Sequence, residues 1–271
     1  MTSDGNMQHT LEQLVDISRR AGLAILEWYD GDMGITQKAD DSPLTNADLA
    51  SHNLIDAELT RLWPDIPVLS EESADIPWET RQSWQQYWLV DPLDGTKEFI
   101  NRNGEFTVNI ALINNHRPVL GVVHVPVTDT SYFGARDIGA WRQAGTELAE
   151  AIAIRQPAAD PVVIVGSRSH ANPELAGKLE KFGAHELISM GSSLKFCRVA
   201  EGLADFYPRL GPTSEWDTAA AQAVVEAAGG QVVKIDGSPL DYNRKEIYLN
   251  PYFFVTGDPE KDWLQAFQDN C

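Results

Sequence analysis

The chain has 271 residues, 43% hydrophobic and 23% charged, with a formal net charge of −19 from 21 basic and 40 acidic side chains. Those proportions exclude a disordered or fibrous chain, and the length suits one large domain or two modest lobes. So negative a surface opposes sequence-independent binding to nucleic acid, and an anionic substrate would need divalent cations held by the carboxylates.

The segment Met1–Gln8 is polar, and no apolar run approaches the roughly 18 residues of a membrane span. A cytoplasmic protein is expected, with peripheral contact at the inner face of the cytoplasmic membrane left open. Of the two cysteines, Cys197 falls in an apolar helical pattern and reads as a reduced packing residue, and Cys271 ends the chain.

A first helix is expected from a Thr10/Gln13 capping box, along the stripe Leu11, Leu14, Val15, Ile17, Ala21, Ile25 and Leu26, to a stop at Gly31. A second is expected over Ala47–Trp63, capped by Thr45 with Asp48. Strand texture follows at Pro67–Ser70, Tyr87–Val90, Phe106–Ile113, Pro118–Val125 and Ser131–Arg142, which predicts an antiparallel sheet in a first, α+β lobe over residues 1–156. From 157 to 271 strands and helices alternate, which predicts an α/β second lobe. Its strands are placed at Val162–Val165, Glu186–Ser189, Asp205–Tyr207, Val232–Ile235 and Phe253–Val255. Its helices are placed at Pro173–Phe182, Ser193–Glu201, Asp217–Ala228 and Pro259–Phe267. The site is expected between the lobes.

Three acidic clusters sit where a strand ends or a helix begins. In Asp91-Pro92-Leu93-Asp94-Gly95-Thr96 the preceding run Trp88-Leu89-Val90 delivers Asp91 to a sheet edge, and Pro92 is expected to end strand pairing. Two carboxylates three residues apart can face one metal cluster, with the Leu93 carbonyl as a further hard-oxygen ligand. Gly95 and Thr96 then open a helix whose free N–H groups suit a phosphate. Glu71-Glu72 closes the strand Pro67–Leu69; alone, adjacent glutamates read as a solvated loop. Asp217, in Trp216-Asp217-Thr218, starts an alanine-rich helix, where a plain N-cap would explain it. A cap equally explains Asp48, and Lys38 alone reads as a surface lysine.

Taken together these motifs resemble the lithium-sensitive, magnesium-dependent phosphatases of the inositol monophosphatase superfamily, whose pattern is Glu-Glu, then Asp-Pro-(Ile/Leu)-Asp-Gly-Thr, then Trp-Asp. Gly166-Ser167-Arg168-Ser169-His170, Gly191–Phe196 and Tyr207–Thr213 are most similar to the CysQ-type 3′(2′),5′-bisphosphate nucleotidases of that superfamily. The resemblance implies a layered α-β-α-β-α sandwich, monomeric or homodimeric, acting on a small phosphorylated metabolite in sulfur assimilation. It implies two or three magnesium ions: Glu71, Asp91 and the Leu93 carbonyl on the first, Asp91, Asp94 and Asp217 on the second. Asp48 and Thr96 would align and deprotonate the attacking water, and the Gly95 and Thr96 amides would hold the phosphate. Glu71, Leu93, Asp94 and Asp217 would lie against the substrate. Lys195 and Arg209 would meet a second phosphate, and His170 and Ser193 the nucleoside.

Chemically, two divalent ions about 3.5–4 Å apart can activate water and stabilise a leaving oxygen without a covalent intermediate. The Asp91-x-x-Asp94 spacing disfavours an aspartyl-phosphate enzyme, which would use Asp-x-Asp. No G-x-x-x-x-G-K-[ST] phosphate loop is present to suggest a kinase. Together with the resemblance, which implies the substrate, the reading is a phosphomonoesterase acting on adenosine 3′,5′-bisphosphate, and on the 3′-phosphate of its sulfated analogue. The alternatives are an inositol monophosphatase and, in another class, a non-catalytic metal- or nucleotide-sensing protein.

Overall fold

The computed structural model describes residues 4–37, 43–168 and 173–268. Helix α1 spans Asp4–Leu26, the short strands β1 (Thr36–Gln37) and β2 (Pro43–Leu44) pair antiparallel, and α2 covers Asn46–Leu62. The expected Thr10/Gln13 cap does not exist, because α1 begins six residues earlier. The Thr10 hydroxyl instead donates to the Asn6 carbonyl one turn back, at 2.9 Å. Nor does Gly31 stop the helix: it ends at Leu26, where Trp28 and Tyr29 N–H groups reach back only three residues and tighten the last turn.

A seven-stranded sheet follows, in the order β3 (Val68–Ser70), β4 (Gln86–Asp94), β5 (Thr107–Asn114), β6 (Arg117–Val125), β7 (Thr130–Ala135), β8 (Gly139–Ala144) and β9 (Glu150–Ile152). All pairs are antiparallel except β3 with β4, which run parallel. The short helices α3 (Trp78–Arg81) and α4 (Thr96–Ile100) flank β4. Strand side chains alternate between two cores: Tyr87, Leu89, Ala111 and Val123 enter one, and Trp88, Val90, Ile110 and Val122 the other. Burial on both faces explains why these strands read as unbroken apolar runs rather than as polar–apolar alternation.

The five-stranded sheet has the order β11 (His185–Met190), β10 (Val162–Ser167), β12 (Phe206–Arg209), β14 (Phe253–Thr256), β13 (Gln231–Lys234). It is mixed: β10 runs parallel to β11 and β12, whereas β14 runs antiparallel to both neighbours. Helices α6 (Leu194–Ala200) and α7 (Ala219–Ala227) lie between the two sheets. One hydrophobic cluster joins Leu89 and Val123 of the first sheet, Phe196 and Val224 of these helices, and Tyr207 and Phe253 of the second. Cys197, buried on α6, is part of that packing. α1 and α2 cover the outer face of the first sheet, and α5 (Pro173–Lys181) with α8 (Trp263–Gln268) covers that of the second. The architecture is therefore the expected α-β-α-β-α sandwich, with a shared core between the two sheets and a further core on the outer face of each. No helix of the described residues is long and apolar enough to cross a membrane.

The middle layer is tight because of Gly121 on β6. A Cβ there would lie 2.3 Å from the Ala220 carbonyl oxygen and 2.8 Å from the Ala220 Cα, both α7 backbone. Neither atom can swing away as a long side chain could, so the helix itself must shift. We expect Gly121→Ala to lower unfolding free energy by about 1–3 kcal/mol, read as a lower urea midpoint at unchanged slope. An unchanged midpoint would show that α7 is free to back away from the sheet.

Candidate active site

One wall of the site is built from the end of β4. Strand β3 runs parallel to β4 and releases the chain into a 3₁₀ turn, Glu71–Ser73, so that Glu71 stands beside Asp91 at the same sheet edge. Contrary to expectation, Pro92 does not end pairing. The β4–β5 register breaks after Asp91↔Asn109 and resumes at Asp94↔Thr107. A bulge takes Pro92 and Leu93 out of the ladder, so the missing proline N–H is never needed. The Pro92 carbonyl accepts instead from the Ser51 hydroxyl of α2, at 2.7 Å. Within the bulge the Leu93 N–H donates to Asp91 Oδ1 at 3.0 Å, which orients that carboxylate. Gly95 then adopts φ 93°, left-handed and natural to glycine, and α4 begins at Thr96.

Asp48 does more than cap α2. Its Oδ2 accepts from the Thr45 N–H at 2.7 Å and from the Thr45 hydroxyl at 2.5 Å, while its Oδ1 accepts from the Thr96 hydroxyl at 3.3 Å. The cap thus fixes one oxygen of a buried carboxylate and aims the other at the Asp-Gly-Thr turn. Thr96 Oγ1 also lies 3.4 Å from the Leu93 carbonyl.

The opposite wall comes from the second sheet and the middle helices. Arg209 is the last residue of β12. The following loop returns through Ser214, whose N–H donates to Asp217 Oδ2 at 2.9 Å. Asp217 is not the helix cap: α7 starts at Ala219 with Thr218 at its N-cap, which leaves Asp217 in the preceding turn. Asp91, Asp94 and Asp217 each bring one carboxylate oxygen within 4.8 Å of the others, although Asp217 is more than 120 residues away along the chain. Glu71, Leu93, Gly95, Thr96, Lys195 and Arg209 line the same cavity of about 270 Å³.

Such crowding has an electrostatic cost. Burial, mutual repulsion and nearby Glu71 push the Asp217 carboxyl up to about 8; burial, only partly offset by Lys195 and the Ser193 N–H, pushes Asp94 up to about 6. Burial also pulls the Lys195 ammonium down to about 8, against the pull of Asp94. Without a bound cation the pair therefore retains a proton near neutral pH. Three carboxylate oxygens and a backbone carbonyl form a hard-oxygen set, and their excess negative charge is what a divalent cation would neutralise.

Sequence reading and structure part at some side chains. The Ser193 hydroxyl is spent on Thr107 (2.8 Å) and Asn109 (2.9 Å), and what Ser193 gives the site is its N–H, bonded to Asp94 Oδ2 at 2.6 Å. Lys195 Nζ donates to the Ser192 carbonyl at 2.5 Å and lies 3.4 Å from that of Met190, which leaves one further N–H for the cavity. Arg209 Nη2 donates to the Pro212 carbonyl at 2.7 Å, and among the described residues its buried Nε has no hydrogen-bond partner. His170 and Lys38 lie outside the described residues. Sequence reading missed Asn109, whose amide is 3.4 Å from Asp94 Oδ2, the buried Glu98 on the cavity wall, and Ser51. Asn109 was legible only as a lone polar residue in an apolar strand, and Ser51 as the residue one turn after Asp48.

The inositol monophosphatase family model matches residues 6–267. A 3′(2′),5′-bisphosphate nucleotidase CysQ of Escherichia coli O6:H1 is 54% identical over 249 residues, covering 91% of this chain and 99% of that one. The Haemophilus influenzae protein of the same name is 36% identical over 97% of this chain and 98% of its own. Among solved structures, CysQ from Bacteroides thetaiotaomicron, described as a bacterial member of the inositol monophosphatase family, superimposes with a TM-score of 0.81 at 43% identity, covering 93% of this chain and 98% of that one. An inositol monophosphatase from Anabaena gives 0.78 at 25% identity, covering 97% of each. With the family model spanning almost the whole sequence and the fold and acidic site in agreement, this chain belongs to the inositol monophosphatase family.

Proposed function

We infer that this protein is a magnesium-dependent phosphomonoesterase that hydrolyses adenosine 3′,5′-bisphosphate to AMP and phosphate. One observation carries the substrate class. The cavity that gathers Asp91, Asp94 and Asp217 is also lined by Lys195 and Arg209. A cation-binding cluster with two basic side chains beside it suits a molecule with two phosphates, one reacting and one held. An inositol monophosphate has nothing to offer the second group. The identity with nucleotidases named for this activity supports the same choice.

In this reading Glu71, Asp91 and the Leu93 carbonyl would hold one magnesium, and Asp91, Asp94 and Asp217 a second; all of them line the cavity. When bound, the ions supply positive charge that activates water for in-line attack and stabilises the departing oxygen. Everything else falls to the chain itself. Asp48, held by Thr45, accepts the Thr96 proton, so Thr96 Oγ1 keeps lone pairs with which to orient and deprotonate the water. The Gly95 and Thr96 N–H groups at the start of α4 are free of helical partners and suit the phosphate oxygens. Arg209, on the cavity wall, would bring its guanidinium to the second phosphate, and Lys195 would add a point charge. Remote binding of this kind positions the reacting phosphate and so raises turnover as well as affinity.

The direct test is phosphate release from adenosine 3′,5′-bisphosphate and inositol 1-phosphate, with magnesium and with excess chelator. Release from the bisphosphate that needs magnesium is expected; release that persists in chelator, or a preference for the inositol ester, would overturn the reading. We expect Arg209→Ala to cut kcat/KM for adenosine 3′,5′-bisphosphate at least about tenfold more than for adenosine 3′-monophosphate, a difference of about 1.4 kcal/mol. Equal losses would show that Arg209 does not read the second phosphate.

A stability experiment needs no turnover. Asp94 and Asp217 take up protons more readily in the folded protein than in the unfolded chain, so folding binds protons. The stabilisation is present in full below the ordinary carboxylate range and is lost as pH rises through about 6 and then about 8. In chelator the melting temperature should fall across that window. Magnesium should raise it more at the alkaline end, where fewer protons compete for the carboxylates. A magnesium effect that shrinks as pH rises would contradict the assignment.

A further inference from the structure

Glu71 follows a strand of the seven-stranded sheet, and Asp217 follows a strand of the five-stranded one. Among the described residues no strand pairing joins the two sheets. A segment remote from both in sequence, residues 243–248, grips the carriers of each.

On one side it docks on α3, which follows the Glu71 turn. Arg81 is 1% exposed, and its guanidinium lies over the rings of Trp78 (4.7 Å) and Tyr248 (4.3 Å). Nη1 donates to Asn243 Oδ1 at 2.7 Å and to the Lys245 carbonyl at 3.2 Å, and Nη2 donates to the Glu246 carbonyl. Asn243 Nδ2 returns a bond to the Arg81 carbonyl at 2.6 Å. The Tyr248 hydroxyl donates to the carbonyl of Ala74, the residue that closes the Glu71–Ser73 turn, at 2.7 Å.

On the other side the same residues hold Glu215, which is fully buried and two positions before Asp217. Its Oε2 accepts from the Asn243 N–H at 2.9 Å, its Oε1 from Lys245 Nζ at 3.1 Å, and its own N–H donates to the Tyr248 carbonyl at 2.9 Å. The Tyr248 ring packs against Trp216, with centroids 4.9 Å apart. These contacts fall on the two turns that carry Glu71 and Asp217 and on α3, which follows the first of them.

We propose that residues 243–248 form a tie that sets the spacing between Glu71 and Asp217, with Tyr248 and Glu215 as positioning residues for the divalent cations; this rests on the magnesium reading of the site. Converging carboxylates repel, and without a restraint the two loops would relax apart in the metal-free protein. A cation would then have to draw them together at the expense of its own binding energy. With the tie in place the ligand spacing exists beforehand, which is how groups behind the ligands raise metal affinity.

The test compares Tyr248→Phe with Tyr132→Phe. Each removes one tyrosine hydroxyl; that of Tyr132 donates to Glu201 at 3.2 Å, away from both loops. Magnesium binding is measured by calorimetry on each full-length protein, alongside the magnesium concentration that gives half-maximal phosphate release. Tyr248→Phe should raise both values about tenfold, with kcat at saturating magnesium within about twofold of the unaltered protein. Tyr132→Phe should leave both within about twofold, whatever melting temperature it loses. Should Tyr248→Phe bind magnesium like the unaltered protein, the segment is packing and not a tie. Should the unaltered protein bind no magnesium, the metal reading falls, and the tie with it.

Discussion

Three carboxylate oxygens held within 4.8 Å of one another are the constraint to which the rest of this structure answers. Left alone, Asp91, Asp94 and Asp217 would separate, because like charges in a water-poor cleft repel far more strongly than in solvent. The fold opposes this at each position by a local hydrogen bond. Asp91 is oriented by the Leu93 N–H, Asp94 by the Ser193 N–H, and Asp217 by the Ser214 N–H. These donors are main-chain groups, whose positions are fixed by the bulge in β4 and by the turns before α6 and α7. Backbone geometry therefore holds the charges together, at the cost of raised proton affinity.

Strands that reach the site from two sheets need a rigid middle layer, and α6 and α7 provide it. Gly121 lets α7 approach β6 to backbone contact, and Lys195 and the Ser193 N–H reach the site from the start of α6. The shared cluster around Leu89, Phe196, Val224, Tyr207 and Phe253 makes the two sheets pack as one body. Relative motion of the walls would disturb that core, which is consistent with a cavity largely formed before any ligand arrives.

Side chains that look interchangeable in sequence differ by context. Asp48 and Asp217 both sit near helix starts, yet one completes a capping box and also accepts from Thr96, and the other lies outside its helix. Ser192 and Ser193 are adjacent; the second is locked into a network with Thr107 and Asn109, whereas the first has a positive φ of 42° and a buried hydroxyl with no partner among the described residues. Such distinctions depend on which way the backbone turns, which residue type alone does not specify.

The elements and much of the site were legible in the sequence, because they rest on local rules. The Thr45/Asp48 cap, the apolar strands, the Asp-Gly-Thr turn and the order of the three acidic motifs are short-range patterns that need no knowledge of the rest of the chain. The start of α1 was misread because a capping pattern at Thr10 was locally acceptable inside a longer helix. The pairing of β4 beyond Pro92 was missed because a bulge depends on the partner strand and on Ser51 of α2. Only the tertiary structure decided that Asp217 meets Asp91 and Asp94, that Asn109 and Glu98 adjoin them, and that residues 243–248 clasp the neighbours of Glu71 and Asp217. Apart from Glu98, which follows Asp94 within one turn, those contacts join residues from 15 to 174 positions apart, and such closures are selected by packing of the whole core, which no local pattern records.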